Sequence, residues 1–186
     1  MHLFNFKVYH FINEFNKKDI LKIDKNINLI FRNYDKKLSR LFLKKMKEFC
    51  HTNGYKIYLS NNIDLANILG FDGVYLPSFN KNLLKKKKLN KNFETLGSAH
   101  NLQEMKIKEI QGVEKIFLSP IFDTNTKKGL GIYKFNSLSL LTRKTIVPLG
   151  GINNSNIKTL IMIKTNLLAS IKFINNKYGI GLKNTN

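Results

Sequence analysis

The chain has little with which to cross-link itself. Cys50 is its single cysteine, which excludes an internal disulfide and fits a reducing cytoplasm. Cys50 falls within the apolar repeat of a helix, so it reads as an inert core thiol rather than a nucleophile. The four histidines, His2, His10, His51 and His100, lack the spacing of a metal site. No uninterrupted apolar run reaches about 18 residues, so no membrane partner or span is expected. The first six residues carry neither a basic leader nor a small-residue cleavage site, so no signal peptide is read there. Carboxylates are scarce too: 12 Asp+Glu stand against 32 Lys+Arg, a formal net charge of +20. Such a balance raises nucleic acid as a partner. Yet arginine, the usual bidentate reader of base edges and phosphates, is limited to Arg32, Arg40 and Arg143. Abundant Lys, Asn and Ile point to AT-rich coding as much as to a polyanion, and the lysine run at 85–88 reads as a solvated helix face or loop. No specific nucleic-acid partner is expected, only weak attraction at low salt.

What is present suffices for one folded unit. At 186 residues and 42% hydrophobic, the chain can bury a sizeable core, and a single domain over 1–186 is the expectation. Short apolar strands are predicted at 8–12, 27–32, 56–59, 73–76, 94–98, 115–118, 146–149 and 167–171. Helical spacing or caps predict helices at 38–49, 64–69, 102–111, 135–142 and 154–163, with a weak short segment at 19–23. Gly54, Gly70 and Gly112 sit where helices should stop. The polar, glycine-containing tail at 175–186 reads as frayed. Eight strands alternating with helices predict a compact (β/α)8 TIM barrel with a shortened first crossover; a doubly wound open sheet is the alternative.

Two segments carry the chemistry. One is Ser119-Pro120-Ile121-Phe122-Asp123-Thr124-Asn125-Thr126-Lys127-Lys128-Gly129. The other is Val147-Pro148-Leu149-Gly150-Gly151-Ile152. In each, an apolar strand runs into small, donor-rich residues before a helical stretch, and exposed N–H groups, hydroxyls and a lysine at such a junction suit a phosphate. Two such junctions on neighbouring strands place a phosphorylated ligand at the mouth of a barrel.

With these go Asn61-Asn62-Ile63-Asp64-Leu65-Ala66, Gly70-Phe71-Asp72-Gly73-Val74-Tyr75-Leu76 and Gly97-Ser98-Ala99-His100-Asn101. In that order the five pieces resemble the thiamine phosphate synthase and TenI superfamily, over a stretch from about Val8 to Ile174. The resemblance implies a (β/α)8 barrel. It also implies one of two reactions on a thiazole phosphate in a cytoplasmic protein, with a homo-oligomer possible. Synthases join a pyrimidine pyrophosphate to the thiazole phosphate, using Mg²⁺ and releasing pyrophosphate. The TenI branch includes thiazole tautomerases, which move a proton without a metal. By position, Thr124, Thr126 and Lys127 correspond to phosphate or pyrophosphate ligands, and Gly150 and Gly151 to backbone donors for the thiazole phosphate. Arg32 corresponds to the arginine at the end of the second strand, and His100 to the histidine that transfers the proton in tautomerases. Lys172 stands where a small residue of the second phosphate loop is expected, and could serve as a point-charge ligand.

The departures from the family pattern fall on the metal. Asn61 and Asn80 replace the two aspartates that bind Mg²⁺ in the synthases, and Mg²⁺ wants hard, preferably anionic oxygen ligands. Of the Gln-Leu-Arg-Glu-Lys motif only the arginine survives, as Arg32. Metal-independent proton transfer with His100 as acid/base is therefore the favoured expectation, with no cofactor. A divergent synthase, with Mg²⁺ required only in that case, and a non-catalytic binder of a thiazole or thiamine phosphate are the alternatives.

Overall fold

A computed structural model describes residues 6–34, 38–84 and 89–180. The lysine run at 85–88 and the end of the tail, 181–186, lie outside the described residues. Among the described residues there are eight short strands: β1 Lys7–Ile12, β2 Asn28–Phe31, β3 Ile57–Ser60, β4 Gly73–Leu76, β5 Glu94–Ala99, β6 Lys115–Leu118, β7 Thr145–Pro148 and β8 Leu167–Ser170. They form one sheet in the order β7-β6-β5-β4-β3-β2-β1-β8, with every pairing parallel. The two outer strands meet through a single parallel bridge, Leu149↔Ala169. The expected barrel is therefore present and nearly closed. Its strands read as near-continuous apolar runs because both faces are covered, as β2 and β8 show with every residue buried.

Among the described residues, five α-helices lie between strands, α1 Lys17–Lys22, α2 Arg40–Thr52, α3 Ile63–Leu69, α4 Leu102–Gln111 and α5 Gly131–Ser139, and α6 Lys172–Tyr178 follows β8. Side-chain caps explain where several begin. Asn16, Ser39, Asn62 and Asn101 each accept a hydrogen bond from a first-turn N–H, satisfying donors a helix start otherwise leaves unpaired. Gly70 and Gly112 end α3 and α4 in the left-handed region, as their positions in the sequence suggested.

The first crossover is short, as expected, and holds α1 as a six-residue helix anchored by buried Ile20. Three expectations need correction. The helix expected at 135–142 lies earlier, at Gly131–Ser139. The one expected at 154–163 is a 3₁₀ helix, Ile157–Met162. There Asn153 Oδ1 accepts from Ser155 N, Ser155 Oγ and Asn156 N, so local side-chain bonds hold this stretch as a turn. Finally, residues 175–178 are helical rather than frayed, because buried Phe173 and Ile174 dock α6 on the barrel. Ile180 beyond it is buried as well.

The core has two layers. Outward-facing strand residues such as Val8, Leu29, Ile57 and Ile116 pack with Met46, Cys50, Ala66, Met105 and Phe135 of the helices. Inward residues fill the barrel: Tyr9 and Phe11 of β1, then Ile30, Tyr58, Tyr75, Leu96, Phe117 and Val147. Aromatic edges interlock there, with ring centroids 5.1 Å apart for Tyr9–Phe117 and 5.0 Å for Phe11–Tyr75. At the N-terminal end of the barrel Glu94 receives hydrogen bonds from Tyr58 (2.6 Å) and Tyr9 (3.3 Å) and pairs with Lys115. Burial pushes the Glu94 carboxyl up, but hydrogen bonds from Lys115 and Tyr58 and the charges of Lys115 and Lys7 outweigh it and hold it below the ordinary value. This polar floor closes one end and leaves the C-terminal end as the open mouth.

Candidate functional site

The loops after β6 and β7 form one assembly at that mouth. Ile121 N donates to Leu149 O (2.9 Å) and Phe122 N to Gly150 O (3.2 Å). Gly150 and Gly151 have φ of 91° and 72°. A Cβ on Gly151 would lie 2.4 Å from Phe122 O, and one on Gly150 2.8 Å from Pro120 Cβ. Both the backbone conformation and the close approach of the neighbouring loop therefore require glycine. Thr124 clamps its own loop: its hydroxyl donates to Lys127 O and accepts from Lys127 N, both at 3.1 Å. Asp123 Oδ1 accepts from Gly129 N and closes the base of the same loop. Thr126 and Lys127 stand exposed beyond the clamp. The structure thus brings Thr124, Thr126, Lys127, Gly150 and Gly151 onto adjoining loops, as expected from the sequence.

His100 follows β5 on the neighbouring strand. Its backbone N–H and its Nδ1 both donate to Glu104 Oε2, each at 2.8 Å. A carboxylate only accepts, so Nδ1 carries a proton, and Nε2 is the ring nitrogen outside that bond. Glu104 was not singled out by the sequence reading, although it lies four positions after His100 in the first turn of a capped helix. Burial raises the Glu104 carboxyl, but the bonds and charge of His100, together with the charge of Lys127, hold it below its ordinary value. That influence places the Lys127 loop within electrostatic reach of the His100–Glu104 pair.

Across the mouth, Arg32 stacks its guanidinium over Phe11 at 5.3 Å from the ring centroid and donates from Nε to Asn13 Oδ1 (3.3 Å). Tyr34 hydroxyl and Ser60 hydroxyl are 2.8 Å apart, and the Tyr34 ring packs edge-on against Phe79, centroids 5.6 Å apart. Lys172 opens α6 directly after β8 and is exposed. No bond ties it to the β6 and β7 loops among the described residues.

The two positions that matter for a metal lie together but do not suit one. Asn80 Nδ2 donates to Asn61 Oδ1 at 2.8 Å. Asn61 adopts a left-handed φ of 62°, a conformation its side chain tolerates better than most. Asn80 Oδ1 is itself occupied by Asn82 N (2.9 Å) and Gln111 Nε2 (3.2 Å). Beneath the turn lies the ammonium of Lys108, bonded to Pro77 O and Asn80 O at 2.7 Å. Two neutral, mutually bonded amides above a cation are a poor donor set for Mg²⁺, whose sites use carboxylates. Among the described residues no three His, Cys, Asp or Glu side chains are grouped to hold a metal. No helix among them is long and apolar enough to cross a membrane.

The sequence profile described as thiamine monophosphate synthase matches residues 24–174. A thiamine-phosphate synthase of Pelagibacter ubique is 31% identical over 146 residues, covering 75% of this chain and 70% of that protein. One of Methanococcus maripaludis is 30% identical over 107 residues, covering 56% of this chain and 52% of its own length. The chain thus spans about half the length of the Methanococcus maripaludis relatives it matches. Among solved structures, a thiamine phosphate pyrophosphorylase from Pyrococcus furiosus aligns with a TM-score of 0.71 at 17% identity, covering 90% of this chain and 86% of the other. One from Bacteroides thetaiotaomicron gives 0.63 at 13%, covering 97% and 89%. At such identities the structures share the fold.

Proposed function

This chain belongs to the thiamine monophosphate synthase family, and from that premise we propose that it is a transferase of thiamine biosynthesis, joining a pyrimidine pyrophosphate to a thiazole phosphate. The observation that carries this reading is the family match across nearly every strand of the barrel, with relatives named thiamine-phosphate synthase. In the reaction the pyrimidine's bond to pyrophosphate breaks as its bond to the thiazole forms, and the leaving pyrophosphate takes the electron pair and the negative charge. The protein must hold two phosphate groups in line and balance that developing charge.

The mouth has the parts for this. Gly150 and Gly151 offer backbone N–H groups to the thiazole phosphate from a loop locked against Phe122. Thr126 and Lys127, on the clamped loop at 124–127, with Arg32 opposite, receive the pyrophosphate. Lys172 adds a point charge at the rim. Tyr34 and Phe79, both exposed, supply apolar walls for flat rings. Residues 61 and 80 do not fit Mg²⁺, so charge balance falls to the chain's own cations.

A second reading has a specific observation in its favour. The His100–Glu104 pair orients an imidazole with Nε2 open, as a metal-free proton transfer on a thiazole phosphate would need. One experiment separates the readings: the purified protein is assayed for coupling and for thiazole tautomerisation, each with Mg²⁺ and with EDTA. Coupling that persists in EDTA is expected. Tautomerisation without coupling would replace the first reading by the second. Ligand-induced thermal stabilisation with neither turnover would leave a binder.

A further inference from the structure

Lys108 is the one lysine of the described residues that is wholly buried, at 0% exposure. Its ammonium donates to three carbonyl oxygens, Pro77 O and Asn80 O at 2.7 Å and Gln111 Oε1 at 2.8 Å. An ammonium has three protons, and all three are used. Among the described residues no carboxylate is bonded to it; burial pushes its pKa down to about 8, with the Glu104 charge opposing in part. The arrangement is costly for a group that has no ion-pair partner. Room for it is made at Gly97 on β5, where a Cβ would lie 2.9 Å from Lys108 Cδ.

The bonds lead from this cation to the mouth. Gln111, fixed by Lys108, donates to Asn80 Oδ1 (3.2 Å) and Asn82 O (2.8 Å). Asn80 N donates to Pro77 O, and Asn80 Nδ2 reaches Asn61. The loop after β4 is thus gathered around one positive charge. That loop carries Asn80, which stands where the resemblance to the synthases implies a Mg²⁺ ligand.

We propose that Lys108 is a positioning residue that acts as a resident cation: it holds the 77–82 loop and the Asn61–Asn80 pair in the shape that binds pyrophosphate, and so makes a divalent ion unnecessary there. This rests on the transferase reading for its ligand, but it concerns binding and loop order rather than turnover. Lys108→Met keeps the stem and removes the ammonium.

The test has two parts. Calorimetric titration of the wild-type protein with inorganic pyrophosphate in EDTA should show binding; wild-type binding absent in EDTA overturns the proposal. In Lys108→Met, amide exchange at 78–82 should speed up at least about tenfold with the barrel strands unchanged. Pyrophosphate affinity in EDTA should fall by a similar factor. Unchanged exchange and affinity in that variant would also overturn the proposal. Gln111→Met, which leaves the ammonium but cuts its link to Asn80 Oδ1 and Asn82 O, serves if Lys108→Met does not fold; it should move both readouts in the same direction. A wild-type protein that binds pyrophosphate but does not couple substrates would refute the transferase reading and leave this one standing.

Discussion

Asn80 donates a 2.8 Å amide hydrogen bond to Asn61, across 19 positions of sequence, at the end of β3 and the turn after β4. Each amide is the other's partner, and Asn80 Oδ1 is already shared by Asn82 and Gln111. Replacing both by aspartate would set two carboxylates side by side, which a divalent ion relieves. Asn61→Asp/Asn80→Asp should bind Mg²⁺ at least about tenfold more tightly than wild type in calorimetry. Equal affinities would show that the pair is not what keeps the metal out.

Gly151 tests the joined loops. Its φ of 72° and the 2.4 Å approach of Phe122 O leave no place for a methyl group. Gly151→Ala should cost about 1–3 kcal/mol in urea unfolding and weaken binding of a phosphate ligand. A variant with wild-type stability and affinity would mean that the loops do not act as one cradle.

The barrel floor depends on Glu94. Lys115 retains 17% of its side-chain exposure and has Glu94 as its carboxylate partner; Tyr58 and Tyr9 donate to the same group. Glu94→Leu should destabilise the protein by about 3 kcal/mol. Adding Lys115→Met should restore part of that loss, as a double-mutant cycle would read.

His10 sets an acid limit on stability. It is 1% exposed, and its Nδ1 donates to Ser170 O at 3.0 Å. Burial pushes its pKa below 6.5, with the Ser170 carbonyl opposing in part. As pH falls through 6.5 the unfolded chain takes up a proton that the folded one does not. The contribution is therefore complete above 6.5 and is lost below it. Melting temperature should fall between pH 7 and pH 5 by more in the wild type than in His10→Asn.

The second functional reading has its own test in Glu104. If protons move at His100, His100→Asn should lower that rate by about 10²-fold or more. Glu104→Gln should lower kcat with little change in KM, because the imidazole loses its orientation rather than the substrate its anchor. Undiminished tautomerisation in His100→Asn would remove the histidine from that chemistry.

The eight-strand alternation and the small-residue loops after β6 and β7 were legible in the sequence, because these are local signals. Apolar runs of four to six residues, Gly70 and Gly112 at helix ends, and Gly150-Gly151 after a strand each announce their conformation from their own neighbours. The sequence also exposed the missing carboxylates at Asn61 and Asn80, since a residue type is legible without coordinates. The tertiary structure alone decided what those residues do. Asn61 meets Asn80, Glu94 meets Lys115 and Tyr58, and Lys108 meets Pro77 and Asn80 across 19 to 36 positions of sequence. The α6 segment was missed for the same reason: its Asn-rich sequence has weak helical preference, and burial of Phe173 and Ile174 against the barrel holds it. Local bonds compete within a few residues and leave a pattern in the chain; buried charge is satisfied by whatever closure of the barrel brings near it.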